Sequence, residues 1–555
     1  MNTPSPLSRR QWLGQVAAPV AAASFATTAT AAPSSAGLLA GAHAHNVRDH
    51  GARGDGSTLD TAAVQAAIDA AHAARGGVVL VPAGDFVVGT LELKSHVTLH
   101  LAAQGRLLGS PDIAHYRPGR GIPPGNGNIV LLSAHQAENV AIEGPGTIDG
   151  NGAKYFTGQG DMTGPGQDSR QGYFQRPHLL IFHECRGLRM RDVFLTASAY
   201  HGVRILRCEH VTFDGVRIHN RVNKNNDGFH FNSCRYVHVS NCDIKCQDDA
   251  CALFGSNQFV TVANSTFSTR WSVFRFGGGE PANIAITNCV ISDTFGCPIK
   301  MRFGAGSRAR DILFSNLVFS NVTGPISIGL DSQWRGRPGQ TPPTTPRPPG
   351  SVRHIAFHGI RGTVAALGQQ YPDMHWEQSY RDGEARTCIV VNGANQDVIE
   401  NISFSDVHLT VEGGGTAAEA AREVPEMAGE YFEIGTPPAY GLYARGVRGL
   451  TLQNVRLETT TPDARPAVVF DRVTDATVNA LAAQGQPAAA SLLRFRATRD
   501  VLLSASRVLA PAAAFLRVEG AGSGGIVVDG GDLIRAARAF VAAEGAPGDG
   551  VHVRD

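Results

Sequence analysis

No run of ~18 or more apolar residues follows the N-terminal segment, so the sequence offers no helical membrane span. Neither sign of charge dominates: 49 Lys and Arg balance 48 Asp and Glu, for a net charge of +1. No broad basic face for nucleic acid is implied, and selection of a charged ligand must be local. Helical periodicity is almost absent after residue 80, which argues against a helical bundle or helical repeat. Aromatic residues make up only 7% of the chain and most are Phe at strand positions, leaving little for exposed sugar-stacking ladders. The nine cysteines are an odd number, so at least one is unpaired. Cys234, Cys242, Cys246, Cys251 and Cys289 sit in or beside alternating runs. Buried structural thiols are expected there, ahead of a metal site at Cys242, Cys246 and Cys251, because free Cys is among the most buried residue types.

What the sequence does have is a repeat. Leu188 to Val193, Val211 to Val216, Val237 to Cys242, Val260 to Ser265, Ile284 to Cys289 and Ile312 to Leu317 all alternate apolar and polar residues. Similar runs return at Ile355, Ile402, Leu450 and Val501. Each is a period-2 strand closed by Asn, Asp or Gly, so the chain turns once per repeat. Spacings of about 23 to 27 residues lie in the solenoid range, and 64 glycines suit a chain that turns at every coil. No single repeat can bury its apolar face, so stacking must build the core. The pattern predicts an all-β chain: a right-handed, single-stranded parallel β-helix over residues 46–555.

The open N-terminal mouth of such a helix needs a cover, because bare strand edges invite aggregation. Asp60 to Ala71 is Ala-rich, with Val64, Ala67, Ile68 and Ala71 on one helical face. It reads as a capping helix with Asp60 or Thr61 as N-cap and Gly76-Gly77 as its stop. Residues 1–32 read as a twin-arginine signal peptide, with Arg9-Arg10 before an Ala-rich stretch and a small-residue cleavage site at Ala29-Thr30-Ala31. Residues 33–45 are then a linker. The expected destination is the bacterial periplasm or exterior, with the twin-arginine export machinery as the precursor's partner.

Stacking places three acids together. Asp227 in Asn225-Asn226-Asp227-Gly228 and Asp248-Asp249 in Gln247-Asp248-Asp249-Ala250 fall about one repeat apart, hence on neighbouring rungs roughly 4.8 Å apart. Clustered carboxylates repel, and acid/base chemistry on a glycosidic bond is the commonest reason to hold them together. A solvated Asp-rich turn or a calcium site is the bland alternative. Consecutive residues of a regular strand face opposite ways, so a bend or bulge is expected at Asp248-Asp249.

At these motifs the chain resembles glycoside hydrolase family 28, the polygalacturonases and rhamnogalacturonases of the pectin-lyase-like superfamily. The similarity starts at Val47 to Gly56 and runs through Gly76 to Gly84, Thr90 to Leu99, Gly146 to Gly152 and Asn225 to Ala250. The early patterns specify the fold, and the Asn-Asp-Gly and Asp-Asp motifs specify the family. The resemblance implies an inverting hydrolase with Asp248 as general acid and with Asp227 and Asp249 holding and deprotonating the attacking water. Such a mechanism needs carboxyls roughly 6.5–9.5 Å apart and one carboxyl kept protonated by its neighbours.

Two family motifs have changed. The Gly-His-Gly motif is expected near residues 270–273, where the segment Thr269 to Gly279 holds no histidine, and Arg-Ile-Lys reads Pro298-Ile299-Lys300. Lys300, Arg275 and Arg302 are the cations expected to bind a uronate carboxylate. His201, Asn225 and Trp271 are expected to line the substrate cleft, with Trp334 a further stacking candidate. His230 alternates against Phe229 and Phe231 and reads as a structural histidine. The Pro-rich stretch 335–350 and the insert 413–438, with a short helix over Ala417 to Glu423, read as loops bordering the cleft. No cofactor or metal is expected.

Function therefore orders as follows. A hydrolase acting on galacturonate-containing polysaccharide or oligosaccharide comes first. A lyase on the same fold, redrawing Lys300, Arg302 and the acids around a cation, comes second. A non-catalytic carbohydrate-binding β-helix comes third, weakened by the scarcity of aromatics.

Overall fold

The computed structural model describes residues 44–121, 128–155, 176–333, 345 and 347–554. The twin-arginine segment, Trp334 and most of the 335–350 stretch lie outside the described residues. Strands dominate, and among the described residues α-helix is confined to Thr61–Ala73 (α1), Ala417–Ala420 (α2) and Tyr431–Ile434 (α3). None of these is long and apolar enough to cross a membrane.

The expected ladder is realised strand by strand. Leu188 pairs with Val211, Val211 with Val237, Val237 with Val260, Val260 with Ile284 and Ile284 with Ile312, all in parallel register. The line continues through Ile355, Ile402 and Leu450, then by way of Ala476 to Val501. All of these residues are buried in one core. The result is the right-handed parallel β-helix, the hand that parallel crossovers take.

Each coil bends at a left-handed residue. Gly215, Asn241, Asn264, Asn288, Asn316 and Gly359 have φ between 51° and 66° at this corner. Glycine takes that conformation freely, and Asn tolerates it better than most side chains. The Asn side chains also stack: Asn316 Nδ2 donates to Asn288 Oδ1 at 3.1 Å. From Ala282 onward the strands flanking the corner fuse, as in Ala282–Thr294 and Arg308–Val322.

A separate sheet of sixteen strands carries the site. Its relevant members are His178–His183 (β1), Val203–Leu206 (β2), Phe229–Asn232 (β3), Cys251–Phe254 (β4), Ser272–Gly277 (β5), Cys297–Gly304 (β6) and Ile326–Asp331 (β7). Val203, Phe229, Cys251, Phe274 and Ile299 form one inward row, fully buried. Between the inward rows, Arg204, His230, Ala252, Arg275 and Lys300 form an outward one. All nine cysteines are buried free thiols, including Cys234, Cys242, Cys246, Cys251 and Cys289, for which burial was expected.

Helix α1 closes the N-terminal mouth with Val64, Ala67, Ile68 and Ala71 buried. Burial of Val64 and Ile68 alone contributes roughly 1.5–3 kcal/mol each. Its ends differ from expectation. The Asp60 carboxylate makes no capping bond to the helix; it accepts the N–H groups of Arg53 and Gly54 at 2.8 and 2.9 Å. The helix stops at Ala73, and Arg75 takes the left-handed turn ahead of Gly76. The first strand, Ala44–Asn46, pairs with Val78 to Leu80, so the solenoid reaches back into the expected linker.

Candidate active site

The bend expected at the Asp pair is present. Residues 247–250 lie outside regular strand, between Asp243–Cys246 and β4, while Asp227 lies in the turn that leads into β3. The two turns are zipped together: Gly228 N–H donates to Asp249 O, and Gln247 and Asp248 N–H donate to Asn226 O. Gly228 is required here, because a Cβ would stand 2.3 Å from Ala250 O. Asn226, fully buried, anchors the turn by donating to the carbonyls of Ser198 and Tyr200 at 3.0 and 2.8 Å.

The acids feel one another. Burial first, and then the charge of Asp249, push Asp227 well above the usual carboxylate range. Asp248 is pushed up by burial and by both other acids, with Lys300 pulling weakly the other way. Burial and the neighbouring acidic charge both favour the neutral form, so Asp227 and Asp248 hold their protons to higher pH than free carboxylates do.

Four side chains fix the acids. Asn225, in the left-handed conformation, donates Nδ2 to Asp248 Oδ2 at 3.3 Å and accepts from Arg176 Nη2 at 3.2 Å. Asn225 therefore braces Asp248. His230 Nδ1 lies 3.0 Å from Asp227 Oδ2, and His201 Nε2 lies 3.9 Å from Asp227 Oδ1. The two imidazoles stack with ring centroids 5.3 Å apart. Burial and the neighbouring histidines and arginines keep His201 uncharged, and burial with Arg204 lowers His230 to about 4. His230 is therefore part of the site, against its expected structural role. Arg204, one rung earlier on the same outward row, has a buried Nε without a hydrogen bond, and Asp227 is the carboxylate whose charge it feels.

The three cations expected to meet a uronate converge instead on Glu430 of the 413–438 insert. Lys300 Nζ lies 2.9 Å from Glu430 Oε2, Arg302 Nη1 3.0 Å from Oε1 and Arg275 Nη2 4.0 Å from Oε1. Burial alone would raise this carboxyl; Lys300, Arg275 and Arg302 overcome it and hold Glu430 at about 2. Trp271 is sheathed as well: Arg270 and Lys300 pack over its ring at 4.6 and 5.3 Å, and Phe432 approaches edge-on. The insert's helix is shorter than expected, Ala417–Ala420 with a Thr416/Glu419 capping box, and α3 was not foreseen.

Comparison with known proteins decides the lineage. The profile described as "Glycosyl hydrolases family 28" matches residues 75–419, more than half of the chain. The chain belongs to this family. A second profile, "Rhamnogalacturonase A/epimerase, pectate lyase-like", matches residues 44–105. The exo-poly-alpha-D-galacturonosidase of Dickeya chrysanthemi is 28% identical over 338 residues, covering 50% of this chain and 55% of that protein. The chain thus spans about half the length of that curated relative. Among solved structures, an exopolygalacturonase from Thermotoga maritima superposes with a TM-score of 0.55 at 19% identity, covering 75% of this chain and 92% of that one. The family 28 exopolygalacturonase of Yersinia enterocolitica gives 0.54 at 20% identity, covering 82% and 78%. At these identities the structures bear on the fold.

In the stretch where the family histidine motif is absent, Arg270 is buried and anchors a segment the sequence reading missed. Arg270 Nη1 lies 3.1 Å from Glu384, and Nη2 donates to Ser379 O at 2.8 Å. In the same segment Asp373 pairs with Arg221 at 3.0 Å, and the Tyr371 hydroxyl donates to Thr269 O at 2.7 Å. Nothing in the local pattern of 365–388 signals these contacts, since their partners lie on coils distant in sequence.

Proposed function

We propose that this protein is an inverting glycoside hydrolase that cleaves galacturonate-containing polysaccharide or oligosaccharide. One observation carries the reading: Asp227, Asp248 and Asp249 share one site on adjoining coils, with Asp227 and Asp248 both held far above the usual carboxylate range. Asp248, braced by Asn225, protonates the leaving glycosidic oxygen. Asp227 and Asp249 position a water and take its proton as it attacks the anomeric carbon from the opposite face. The bond to the leaving sugar breaks as the bond to water forms, which inverts the centre. A β-eliminating lyase is not favoured, given the family and the fact that Lys300 and Arg302 are engaged by acids.

We propose further that Ser8-Arg9-Arg10-Gln11-Trp12-Leu13 directs export of the folded precursor to the periplasm or beyond. The deciding assay incubates the protein with pectic oligomers and follows reducing ends together with unsaturated-uronate absorbance. Reducing ends without that absorbance, and a product anomer opposite to the substrate's by NMR, are the expected result. Absorbance rising with cleavage refutes hydrolysis.

A further inference from the structure

Arg204 sits beside the acid cluster without a counter-ion. Its Nε is buried and meets no acceptor, and no ion pair joins its guanidinium to a carboxylate among the described residues. The other cations of the outward row differ: Lys300, Arg302 and Arg275 all have a Glu430 oxygen within 4.0 Å. Arg176, the next cation near the Asp227 turn, donates to Ala199 O, Lys224 O and Asn225 Oδ1 at 3.1, 2.8 and 3.2 Å.

The surroundings of Arg204 explain the vacancy among its donors. On the preceding rung its neighbour is Ile181, apolar and fully buried, so no partner arrives from that side. On the following rung its neighbour is His230, whose Nδ1 turns to Asp227 Oδ2 at 3.0 Å. Asp227 itself is tied to the start of the Arg204 strand, because Gly202 N–H donates to Asp227 O at 3.1 Å. A Cβ at Gly202 would stand 2.5 Å from that oxygen, so glycine is what lets the two coils close here. Asp227 is thus near enough for its charge to act on Arg204, yet its carboxylate is aimed at His230 and forms no bond with the guanidinium.

A charge withdrawn from water is costly unless an opposite charge and hydrogen bonds replace the lost hydration. Arg204 is part-buried and not sealed, so a ligand can reach its fork. A planar fork of N–H donors matches a carboxylate, which it can bind through two parallel hydrogen bonds. We propose that Arg204 receives the carboxylate of a uronosyl residue seated over Asp227, and that it sets the enzyme's preference for acidic sugars. The inference rests on the hydrolase reading and names the residue of that site that recognises the substrate's charge. It moves recognition from the Lys300 side of the Asp coil to the opposite side.

The test compares Arg204→Met with wild type on two galacturonide oligomers of one length, unesterified and methyl-esterified. Arg204→Met should lower kcat/KM for the free acid at least tenfold more than for the ester, carried by KM. Arg204→Lys, which keeps the charge and loses the fork, should recover part of that loss. Because the substitution removes an uncompensated charge, Arg204→Met should melt at or above the wild-type Tm, which separates lost recognition from lost folding. An unchanged KM for the free acid, or equal losses on acid and ester, overturns the proposal. Should Arg204→Met fail to fold, Arg204→Lys carries the same comparison: a KM rise confined to the free acid supports the proposal, and equal effects overturn it. If wild type cuts neither oligomer, the hydrolase reading fails separately. Calorimetric titration with trigalacturonate and its methyl ester then decides: wild type should bind the acid at least tenfold tighter than the ester and Arg204→Met should not, while equal binding of both by wild type overturns the proposal.

Discussion

His230 Nδ1 stands 3.0 Å from Asp227 Oδ2, joining an outward residue of β3 to the carboxylate just before that strand. Burial lowers the imidazole to about 4, which favours its neutral form near neutral pH. With its proton on Nδ1, a neutral ring donates to Asp227, aims the carboxylate and favours its ionised form. His230→Ala should therefore lower kcat by about 10–100-fold with little change in KM, the scale seen when an orienting partner is lost. The apparent pKa of the basic group should rise in the same variant, and His230→Asn, which keeps a donor, should recover part of the loss. An unchanged pH profile would assign His230 to packing alone.

Asp248→Asn should cut kcat by about 10²–10⁴ with the fold intact, the usual contribution of a general acid. Stability should move the other way. The folded-state pKa of Asp248 is raised, so its protonated form stabilises the fold below the unfolded value of 3.8, and this advantage fades as pH rises through the folded value. At pH 7 the acid cluster is thus a strain that the amide relieves. Thermal melts should show Asp248→Asn at or above wild-type Tm at pH 7, with the gap shrinking toward pH 4. A Tm several degrees below wild type at pH 7 would count against the buried-acid cluster.

Much of the fold was legible because β-helix physics is local and repetitive. One alternation per coil and one Asn or Gly per corner sufficed to place Val211, Val237, Val260 and Ile284 on one ladder. The three aspartates were legible for the same reason, since a repeat converts sequence spacing into rung spacing. His230 was half legible: alternation turned it away from the two Phe, but only coordinates show Asp227 across the turn. Glu430 was not legible at all. Its partners Lys300 and Arg302 lie more than a hundred residues earlier, and an isolated acid in an insert has no periodic frame.

Glu430 should make the protein acid-sensitive. Its folded-state pKa of about 2 lies below the ordinary 4.5, so the stability it contributes is present above 4.5 and lost as pH falls toward 2. At 1.36 kcal/mol per unit that is on the order of 3 kcal/mol, released as the cations lose their partner. Denaturant melts between pH 5 and pH 2.5 should show wild type losing more stability than Glu430→Gln. Parallel curves would mean that the three cations do not hold the carboxylate in solution.

Chelation separates hydrolysis from cation-assisted elimination. Two carboxylates and a water suffice for the inverting reaction, so activity should survive prolonged EDTA treatment and gain nothing from added Ca²⁺. Activity abolished by EDTA and restored by Ca²⁺ would instead require a metal to acidify a uronate C5 proton.

Lys300 separates two views of the cation trio. If it met a substrate carboxylate directly, Lys300→Ala would raise KM for uronate substrates and leave stability alone. Its Nζ is instead 2.9 Å from a carboxylate buried with it, and its charge also reaches Asp248. Removing one partner of a buried pair leaves the other uncompensated, at a cost of about 3–5 kcal/mol. Arg275 and Arg302 still flank Glu430, so the lower part of that range is expected. Lys300→Ala should therefore melt earlier, whereas Lys300→Met with Glu430→Gln, which removes both charges, should recover most of the loss. Activity should fall for charged and neutral substrates alike, because Lys300 acts on Asp248 whichever sugar is bound. A KM rise confined to uronates, with Tm unchanged, would return Lys300 to the substrate and leave Glu430 a bystander.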